Sequence, residues 1–414
     1  MKVLHICTTL EGGAALCARR INNALEQVGI DSRMLFAEGN NLPRGIQGAI
    51  ALKDDCQWWM KIPILRGVAW KLICILPFLM NAQKFQEQVF KANKKHLYLH
   101  IPYSEYKNIA HHPLVEWADI IHLHWVSGFV DYPTFFKEVK KPIVWTLHDK
   151  YPAVGLQHYS SAFYPVPDNL KGLDDYCRQV KRKSLIKTNK LHLVAISEMM
   201  RNICQDSDVL RDFPVTLIHN GIDGNSFKPY NKIECRKELG LLSEATIFLF
   251  SGYSIHDSNK GLNRLIEALE KMDIPDKMLV CIGISNEPIQ EASFPIILTG
   301  LLTSYTRLSK YYSAADYFVS NSYEESFGQT LLESMACGTP VVTTPCGISL
   351  DLINQDNGVV CNDFTVEALM EGIKLAMSRT YDSERIRKEV INRFSYDKIA
   401  KQYMDLYKSI LKTK

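Results

Sequence analysis

Hydrophobic runs alternate with amphipathic and polar stretches along the chain. The opening run KVLHIC has the composition of a buried strand, and the turn TTLEGG after it leads into a helical pattern over residues 14–27 that Gly29 ends. A second short strand is predicted at residues 33–36. Strand, helix and strand in this order predict the first βαβ unit of a parallel sheet.

Similar apolar runs recur through both halves of the chain. They predict strands at residues 120–124, 143–147 and 191–196 and, further on, in TIFLFSG, KMLVCIG, PIILTG and DYFVSNS. Between the two sets, the stretch VTLIHNGIDGNSFKPY near residue 220 loses the periodicity and favours a linker. We therefore predict an α/β fold of two doubly wound domains, at residues 1–215 and 216–390, with an amphipathic helix at residues 391–414 that packs back on the first domain.

Residues 58–80 interrupt this pattern with the apolar, aromatic run WWMKIPILRGVAWKLICILPFLM. A membrane-spanning helix needs about 20 apolar residues with few charges. This run instead contains Pro63, Arg66, Lys71 and Pro77. We favour a core helix or helical hairpin inserted in the first domain, and the alternative left open is a surface that lies on a membrane.

Composition narrows the class of protein. Of 414 residues, 46% are hydrophobic and 22% are charged, and a net charge of +3 provides no electrostatic footprint for nucleic acid. The 11 cysteines include no CxxC pair, which favours reduced thiols over a disulfide framework or a zinc ribbon. The start MKVLHIC runs directly into a strand, without the pattern of a secretory signal. We therefore expect a cytoplasmic protein, at the inner face of the membrane if residues 58–80 lie on it.

Two carboxylates stand eight positions apart in the stretch EESFGQTLLESMACGTPVV, at Glu325 and Glu333. A glycosidase-type pair needs carboxyl groups about 5 to 9.5 Å apart, whereas eight helical residues would separate them by about 12 Å along the axis and about 80° around it. The pattern instead predicts a strand in DYFVSNS, a loop ending near Glu325, and a helix that begins near residues 327–329 and carries Glu333. The two glutamates therefore hold different groups, unless they are ordinary surface side chains.

The start of that helix is a candidate phosphate site. The backbone N–H groups of Gly328, Gln329 and Thr330 would lie at the carboxyl edge of a parallel sheet, where phosphates are stabilised. A phosphate site with a carboxylate on each side to accept hydrogen bonds from hydroxyl groups suits a nucleotide-sugar. The sugar would lie on one side of the phosphate and the ribose on the other.

Four stretches together resemble one protein family. EESFGQTLLESMACGTPVV resembles the Glu-x7-Glu signature of the retaining glycosyltransferases of family 4, and VTLIHNGIDGNSFKP, KGLNRLIEAL and WTLHDKYP resemble its linker, its Lys-Gly helix start and its His-Asp loop. The resemblance covers nearly the whole chain and implies the GT-B fold, in which two Rossmann-like domains face a central cleft. LHWVSGF and HDKYPAVGLQHYSS more loosely resemble a bacterial exopolysaccharide subgroup.

The resemblance implies roles for residues of the second domain. Glu325 would contact the donor sugar and Glu333 the ribose hydroxyls, with Phe327 and the helix start after it completing the donor site. Lys260, which follows the strand TIFLFSG and opens a helix, matches the family's diphosphate ligand. The family's arginine six positions earlier is replaced by Ser254, so this loop either repositions another donor or holds the leaving group more weakly.

In the first domain, Gly12 and Gly13 lie at the first strand-to-helix turn, where missing side chains let a ligand approach the backbone. Tight turns also need glycine, but the resemblance implies a position between donor phosphate and acceptor. The pair is no GxGxxG fingerprint, which argues against a dinucleotide dehydrogenase. His148 and Asp149 follow the strand PIVWTL. The resemblance implies that His148 contacts the donor sugar near its anomeric carbon and that Asp149 organises the loop.

A metal site is not expected. His122 and His124 share one face of a strand by its period of two, but no third ligand of convincing spacing follows them. Packing and the lining of an acceptor cleft are therefore favoured for both. The adjacent aspartates of LKDDC and LDDYC form no Asp-x-Asp motif at a strand end. Lys260 and the helix start are expected to neutralise the leaving diphosphate, and no cofactor is expected.

The resulting hypothesis is an enzyme that transfers a hexose-type sugar from a nucleotide-diphosphate-sugar to a saccharide or lipid-linked acceptor, with retention at the anomeric carbon, in polysaccharide biosynthesis. The catalytic candidates are His148, Glu325 and Lys260. The expected partners are the donor, the acceptor and, if residues 58–80 reach one, a membrane surface, but not nucleic acid. A nucleotide-sugar epimerase of the same fold and a non-catalytic binding partner are the alternatives.

Overall fold

The computed structural model describes residues 1–37, 49–51, 89, 91, 99–104, 106, 108–159, 163–188 and 190–412. Residues 58–80, predicted as an apolar insertion, lie outside the described residues. Within the described ranges, no helix combines the length and the low polarity that crossing a membrane would require. The nine cysteines in these ranges are free and buried, which agrees with the expected reduced thiols.

The described residues separate into two compact units. The first takes its residues from Met1–Ile196, Met200–Ile218 and Ala400–Lys414, and the second from Ser197–Met199 and His219–Ile399. Residues 391–399 therefore belong to the second unit, and the chain from Ala400 onward belongs to the first.

Seven parallel strands form the sheet of the first unit. They are β1 (Lys2–Cys7), β2 (Asp31–Phe36), β3 (Ala49–Ala51), β4 (Ile120–Leu123), β5 (Ile143–Leu147), β6 (Leu191–Ala195) and β7 (Val215–Leu217). Their order across the sheet is β3-β2-β1-β4-β5-β6-β7, so the winding reverses between β1 and β4. The helices along this stretch are α1 (Gly13–Gln27), α2 (Pro113–Trp117), α3 (Tyr132–Glu138), α4 (Lys171–Leu185) and α5 (Glu198–Asp206).

Six parallel strands form the sheet of the second unit. They are β8 (Thr246–Ser254), β9 (Lys277–Ile284), β10 (Ile296–Leu298), β11 (Tyr317–Ser320), β12 (Val341–Thr343) and β13 (Gly358–Val360). The order β10-β9-β8-β11-β12-β13 repeats the winding of the first sheet, with the reversal between β8 and β11. The helices that follow residue 218 are α6 (Lys232–Leu239), α7 (Leu262–Lys271), α8 (Tyr305–Ala314), α9 (Gln329–Ala336), α10 (Ser349–Leu352), α11 (Val366–Met377), α12 (Ser383–Phe394) and α13 (Tyr396–Lys412).

Burial explains why the apolar runs became strands and helices. β4 and β5 are buried at every position, as expected of strands covered on both faces. α7 buries an apolar stripe with helical spacing, made of Leu262, Leu265, Ile266 and Leu269. This stripe joins Phe248, Leu279 and their neighbours in one apolar cluster of the second unit.

The pattern of the sequence predicted most of the strands and some of the helices. The helix predicted at residues 14–27 and the strands predicted at residues 33–36, 120–124, 143–147 and 191–196 each match an observed element to within two residues. The strand predicted to reach His124 ends at Leu123, which leaves His124 beyond the carboxyl end of β4. β3, β7, β12 and β13, each of three residues, were not predicted, and β7 lies within the stretch that was predicted to be a linker.

Candidate functional site

The winding of the second sheet reverses between β8 and β11, which pair in parallel. Ligands of open α/β sheets bind beyond the carboxyl ends of the strands at such a reversal. The chain leaves β8 toward Lys260 and leaves β11 toward Glu325. The fold therefore brings together two of the residues predicted as catalytic, although 65 positions separate them.

Lys260 and Glu325 form an ion pair. Lys260 Nζ donates to Glu325 Oε1, and Ser322 Oγ donates to the same oxygen at 2.8 Å. Burial favours the neutral amine, but the Glu325 carboxylate and Asp257 outweigh it and raise the pKa of Lys260. Both side chains remain partly exposed, at 26% and 20%, so a ligand can reach the charged lysine.

Asn259 fastens the lysine loop to the glutamate loop. Its side-chain nitrogen donates to the carbonyl of Glu324 at 2.8 Å, and its side-chain oxygen accepts from the backbone N–H of Glu324 at 3.0 Å. Its own carbonyl accepts from the backbone N–H of Tyr323 at 2.8 Å. Nothing in the sequence indicates this role of Asn259 except its position beside Lys260.

Two glycines with left-handed backbone shape the same loops. Gly261 has φ +72° and Gly347 has φ +61°, values that residues with a side chain rarely adopt. A Cβ on Gly261 would clash with the carbonyl of Asn321, and one on Gly347 would clash with the carbonyl of Phe327. Ile348 donates its backbone N–H to that Phe327 carbonyl at 2.7 Å. These contacts fix the turn that leads into α9.

The start of α9 has no side-chain cap on its backbone N–H groups. Its N-cap residue is Gly328, at φ +96°, which has no side chain to cap the backbone N–H groups of the first turn. The side chain of Gln329 points to the linker, where Nε2 donates to the carbonyl of Gly221 at 3.0 Å. The backbone of Gln329 and Thr330, rather than their side chains, is therefore the candidate phosphate ligand.

Glu333 lies in the second turn of α9 and is only 7% exposed. Tyr312 donates its hydroxyl to Glu333 Oε2 at 3.2 Å. Burial and the neighbouring Glu333 charge raise the pKa of Tyr312 well above its usual range. The tyrosine thus stays protonated and gives the buried carboxylate a permanent hydrogen-bond donor.

Ser254 ends β8 at the position where the resemblance would place an arginine. Its hydroxyl accepts from the backbone N–H of His256 at 3.3 Å, and His256 Nε2 shares a hydrogen bond with Ser285 Oγ at 3.1 Å. Ser254 therefore stabilises the turn before Lys260 and does not replace the positive charge of an arginine.

The carboxyl edge of the first sheet carries the remaining predicted residues. Gly12 is the N-cap of α1 with φ +94°, so its backbone shape requires glycine. Gly13 has no such φ, and a Cβ on either residue would meet no atom within 4 Å. The turn is therefore open to a ligand, as close backbone approach requires.

His148 and Asp149 follow β5 directly and face different partners. His148 Nε2 shares a hydrogen bond with Nδ1 of His124 at 3.0 Å. Asp149 accepts from Trp125 Nε1 at 2.8 Å and from the backbone N–H of Tyr151 at 3.0 Å. Burial acts to raise the pKa of Asp149, but its hydrogen-bond partners outweigh this effect and lower it. Asp149 therefore organises the loop as an ionised acceptor.

Two histidines that sequence analysis missed extend from Asp149. His158 Nδ1 bonds Asp149 Oδ2, and His158 Nε2 shares a hydrogen bond with His100 Nδ1 at 2.8 Å. The loop between Asp149 and His158 is held by Lys181 of α4, which is fully buried. Its Nζ donates to the carbonyls of Val154 and Gly155 at 2.9 and 2.7 Å. These residues lie on loops, so no helical or strand spacing in the sequence indicates that they are in contact.

A third histidine lies beside His122 and His124, although it precedes them in the chain and no ligand of convincing spacing follows them. β1 pairs with β4 so that His5 lies beside His122, 117 positions away in the chain. Nitrogen atoms of His5, His122 and His124 lie within 4.8 Å of one another, a group that could hold a metal ion. Local spacing could not reveal this group, because strand pairing creates it.

Hydrogen bonds occupy every ring nitrogen of this group except His5 Nε2, which has no partner among the described residues. His5 Nδ1 and His124 Nε2 lie 2.8 Å apart, and His122 bonds Thr146 Oγ1 and the hydroxyl of Tyr407, each at 2.7 Å. Burial lowers the pKa of His5 to about 3 and those of His122 and His124 well below their usual range. The three rings are thus neutral at pH 7.

Two family models match the chain. The model described as Glycosyltransferase Family 4 matches residues 12–225, more than half of the chain, and the model described as Glycosyl transferases group 1 matches residues 231–393. The chain belongs to glycosyltransferase family 4.

Curated relatives are glycosyltransferases of low identity. An uncharacterised glycosyltransferase of Methanocaldococcus jannaschii is 27% identical over 235 residues, covering 52% of this chain and 59% of that protein. A D-inositol 3-phosphate glycosyltransferase of Xylanimonas cellulosilytica is 23% identical over 316 residues, covering 70% of this chain and 72% of that protein. The first match thus spans less than two thirds of the relative.

Solved structures share the whole fold. Sucrose-phosphate synthase from Thermosynechococcus elongatus covers 100% of both chains with a TM-score of 0.69 and 21% identity. Anabaena HepE in complex with UDP and glucose covers 99% of this chain and 100% of that one, with a TM-score of 0.65 and 16% identity. With the two parallel sheets, these similarities confirm the predicted GT-B fold class.

Proposed function

We propose that this glycosyltransferase moves a hexose-type sugar from a nucleotide-diphosphate-sugar to a saccharide or lipid-linked acceptor, with retention at the anomeric carbon, in polysaccharide biosynthesis. The observation that carries the proposal is the contact of Lys260 with Glu325 beyond the ends of β8 and β11. A cation and a carboxylate at the reversal point of a parallel sheet suit a diphosphate and a sugar hydroxyl. The UDP and glucose in the Anabaena structure support a donor of this class.

We assign the diphosphate to Lys260 and to the backbone at the start of α9. A lysine ammonium has three N–H donors, so it can bind phosphate oxygens while it stays near Glu325. The uncapped first turn of α9 adds backbone N–H groups and the positive end of the helix dipole. Ser254 adds no positive charge to the site. Lys260 must therefore neutralise more of the diphosphate charge than it would if an arginine stood at position 254.

We assign the ribose hydroxyls to Glu333 and the sugar hydroxyls to Glu325. Tyr312 holds the Glu333 carboxylate, and Ser322 together with Lys260 holds that of Glu325. A carboxylate fixed in this way accepts hydroxyl hydrogen bonds without first having to be ordered. From the first unit, we assign His148 to the sugar and the turn at Gly12 and Gly13 to the donor phosphate and acceptor.

The proposed reaction needs no nucleophile from the protein. The bond from the anomeric carbon to the phosphate oxygen breaks, the acceptor oxygen bonds to the same face of that carbon, and the acceptor proton passes to the leaving phosphate. Lys260 and the start of α9 stabilise the charge that develops on the diphosphate. Attack on the face that the phosphate leaves gives retention.

The donor site can be tested without knowing the acceptor. A thermal-shift screen of nucleotide-diphosphate-sugars should find one that raises the melting temperature, since a ligand at 100 times its Kd stabilises the native state by about 2.7 kcal/mol. Lys260→Met should abolish this shift and lower turnover by about 100-fold. Lys232→Met is the matched control, because Lys232 pairs with Asp316 at the opposite, amino end of β11. Equal losses in both variants would contradict the assignment.

Product analysis separates the three candidate functions. The transferase should release free nucleoside diphosphate and form a product with the donor's anomeric configuration, measured by NMR. An epimerase would convert the nucleotide-sugar to its isomer without releasing nucleoside diphosphate. A non-catalytic partner would bind a nucleotide-sugar and turn over none of the donors, with or without acceptors.

A further inference from the structure

Three histidines form a continuous hydrogen-bonded chain at the carboxyl edge of the first sheet. His5 Nδ1 lies 2.8 Å from His124 Nε2, and His124 Nδ1 lies 3.0 Å from His148 Nε2. The rings of each pair are nearly stacked, with interplanar angles of 22° and 24°. The inner two rings are buried, at 0% and 2% exposure. The chain thus leads from the sheet interior to the candidate sugar contact.

A chain of neutral imidazoles can be protonated in only two ways. Each neutral ring has one N–H and one nitrogen lone pair, so both hydrogen bonds form only if all three N–H groups point in the same direction. In one arrangement, His148 accepts at Nε2 and carries its hydrogen on Nδ1. In the other, His148 donates from Nε2 and keeps a bare lone pair on Nδ1. The state of His124 therefore decides which nitrogen of His148 holds the hydrogen.

The inner end of the chain distinguishes the two arrangements. His5 Nε2 is buried and has no hydrogen-bond partner among the described residues. A buried N–H without an acceptor is rarer in proteins than an acceptor without a donor. His5 therefore keeps its bare lone pair at Nε2 and donates from Nδ1, and His124 in turn donates from Nδ1 to His148.

We propose that His5 and His124 are positioning residues that hold His148 as the tautomer with hydrogen on Nδ1. This tautomer presents an N–H donor, which suits a hydroxyl oxygen of the donor sugar, rather than a base. The inference rests on the proposed function in one respect, the assignment of His148 to the sugar. The tautomer itself does not depend on any ligand.

Two amide variants of His124 separate positioning from general support. The amide of asparagine reaches about as far as Nδ1 of histidine, whereas the amide of glutamine reaches about as far as Nε2. His124→Asn should therefore keep the bond to His148 and lose the one to His5, while His124→Gln should do the opposite. Each variant removes one hydrogen bond of the chain, so their melting temperatures should be similar.

Turnover should differ between the two variants. His124→Gln should lower kcat at least about tenfold with a smaller change in KM, because His148 loses the partner that orients it, whereas His124→Asn should stay within about threefold of the wild type. Equal kcat values in two folded variants would overturn the proposal. If either variant fails to fold, the tautomer measurement below on wild-type protein still decides it.

A spectroscopic measurement tests the tautomer without turnover. Nitrogen-15 NMR of histidine-labelled protein distinguishes protonated from bare ring nitrogens, with the His148→Asn spectrum used for assignment. We expect hydrogen on Nδ1 of His148 in the wild type, and hydrogen on Nε2 would overturn the proposal. One equivalent of bound metal, lost in His5→Ala, would also overturn it, because a metal would take the lone pairs that form the chain. Inactivity with every donor would count against the proposed function alone.

Discussion

The amide of Asn259 bonds both backbone groups of Glu324, and its carbonyl bonds Tyr323. The loop that carries Lys260 is therefore tied by three hydrogen bonds to the loop that carries Glu325. Asn259 is 3% exposed, so water cannot replace these bonds if the side chain is removed. The separation of the lysine and the glutamate is thus set by a residue that is not assigned to the ligand.

Asn259→Ala should weaken both folding and donor binding. It removes the side-chain partner of the buried backbone N–H and carbonyl of Glu324, which costs about 2 to 4 kcal/mol of unfolding free energy. Urea denaturation measures that loss, and titration with the nucleotide-sugar found by thermal shift should show a Kd at least about tenfold higher.

Asn231→Ala provides the comparison for this variant. Asn231 also uses its side-chain oxygen on a backbone N–H, that of Glu234 at 3.1 Å, but it does so as the exposed N-cap of α6. Its loss should cost about 1 kcal/mol and leave the Kd unchanged. If folded Asn259→Ala binds the nucleotide-sugar with the Kd of the wild type, the hydrogen bonds of Asn259 are not needed to position the two loops for binding.

The sequence pattern indicated the charged residues that we propose for this site but not the residues that support them. Lys260, Glu325 and Glu333 stand in stretches whose local order resembles a family motif. Asn259 and Gly347 matter because of partners 65 and 20 positions away, Glu324 and Phe327. Contacts of this kind depend on how strands pair, which a local pattern does not contain.

Polar side chains line one face of the first sheet where apolar ones would be expected. β1, β4 and β5 carry His5, His122 and Thr146, and helix α13 hydrogen-bonds to His122 through Tyr407 and to Thr146 through Tyr403. Parallel strands buried on both faces usually carry Val, Ile and Leu. The histidines are tolerated because each is neutral and hydrogen-bonded.

Acid should destabilise the protein well above the pH at which carboxylates titrate. Burial lowers the pKa of His5 from 6.5 to about 3 and that of His148 to about 4. The unfolded chain therefore binds protons below pH 6.5 that the native protein excludes, and stability falls as the pH falls from 6.5 toward 4. Each histidine kept neutral costs about 2 kcal/mol at pH 5, which urea denaturation at pH 7 and pH 5 would measure.

His5→Asn should reduce this dependence on pH. Asparagine can keep the hydrogen bond that His5 Nδ1 makes but has no group that titrates near neutrality, so the loss between pH 7 and pH 5 should shrink by about 2 kcal/mol. His111→Asn is the control, because the His111 side chain is 67% exposed. If His5→Asn loses as much unfolding free energy between pH 7 and pH 5 as the wild type does, His5 is not held neutral.

We propose that the second unit supplies positive charge to the diphosphate of the donor from its own groups. Lys260 supplies a full positive charge, and the start of α9 supplies a partial one. The sequence has no Asp-x-Asp motif at a strand end, so we propose that transfer is independent of metal. This proposal concerns the donor site and not the histidines of the first sheet.

Removal of metal therefore should not stop the reaction. Excess EDTA should change the rate of nucleoside diphosphate release by less than about twofold, because Lys260 and helix dipoles replace the Lewis acid. The low turnover of Lys260→Met should not rise when Mg²⁺ or Mn²⁺ is added. Loss of activity in EDTA that Mn²⁺ restores would contradict metal independence.

The last helix has a consequence for synthesis of the chain. β1 is made first, yet α13, which hydrogen-bonds to β4 and β5 of the same sheet through Tyr407 and Tyr403, is made almost 400 residues later. Domains that are continuous in sequence can fold on the ribosome in the order of their synthesis. Here the first unit stays incomplete until residues 400–412 emerge, so the second unit can finish folding before the first.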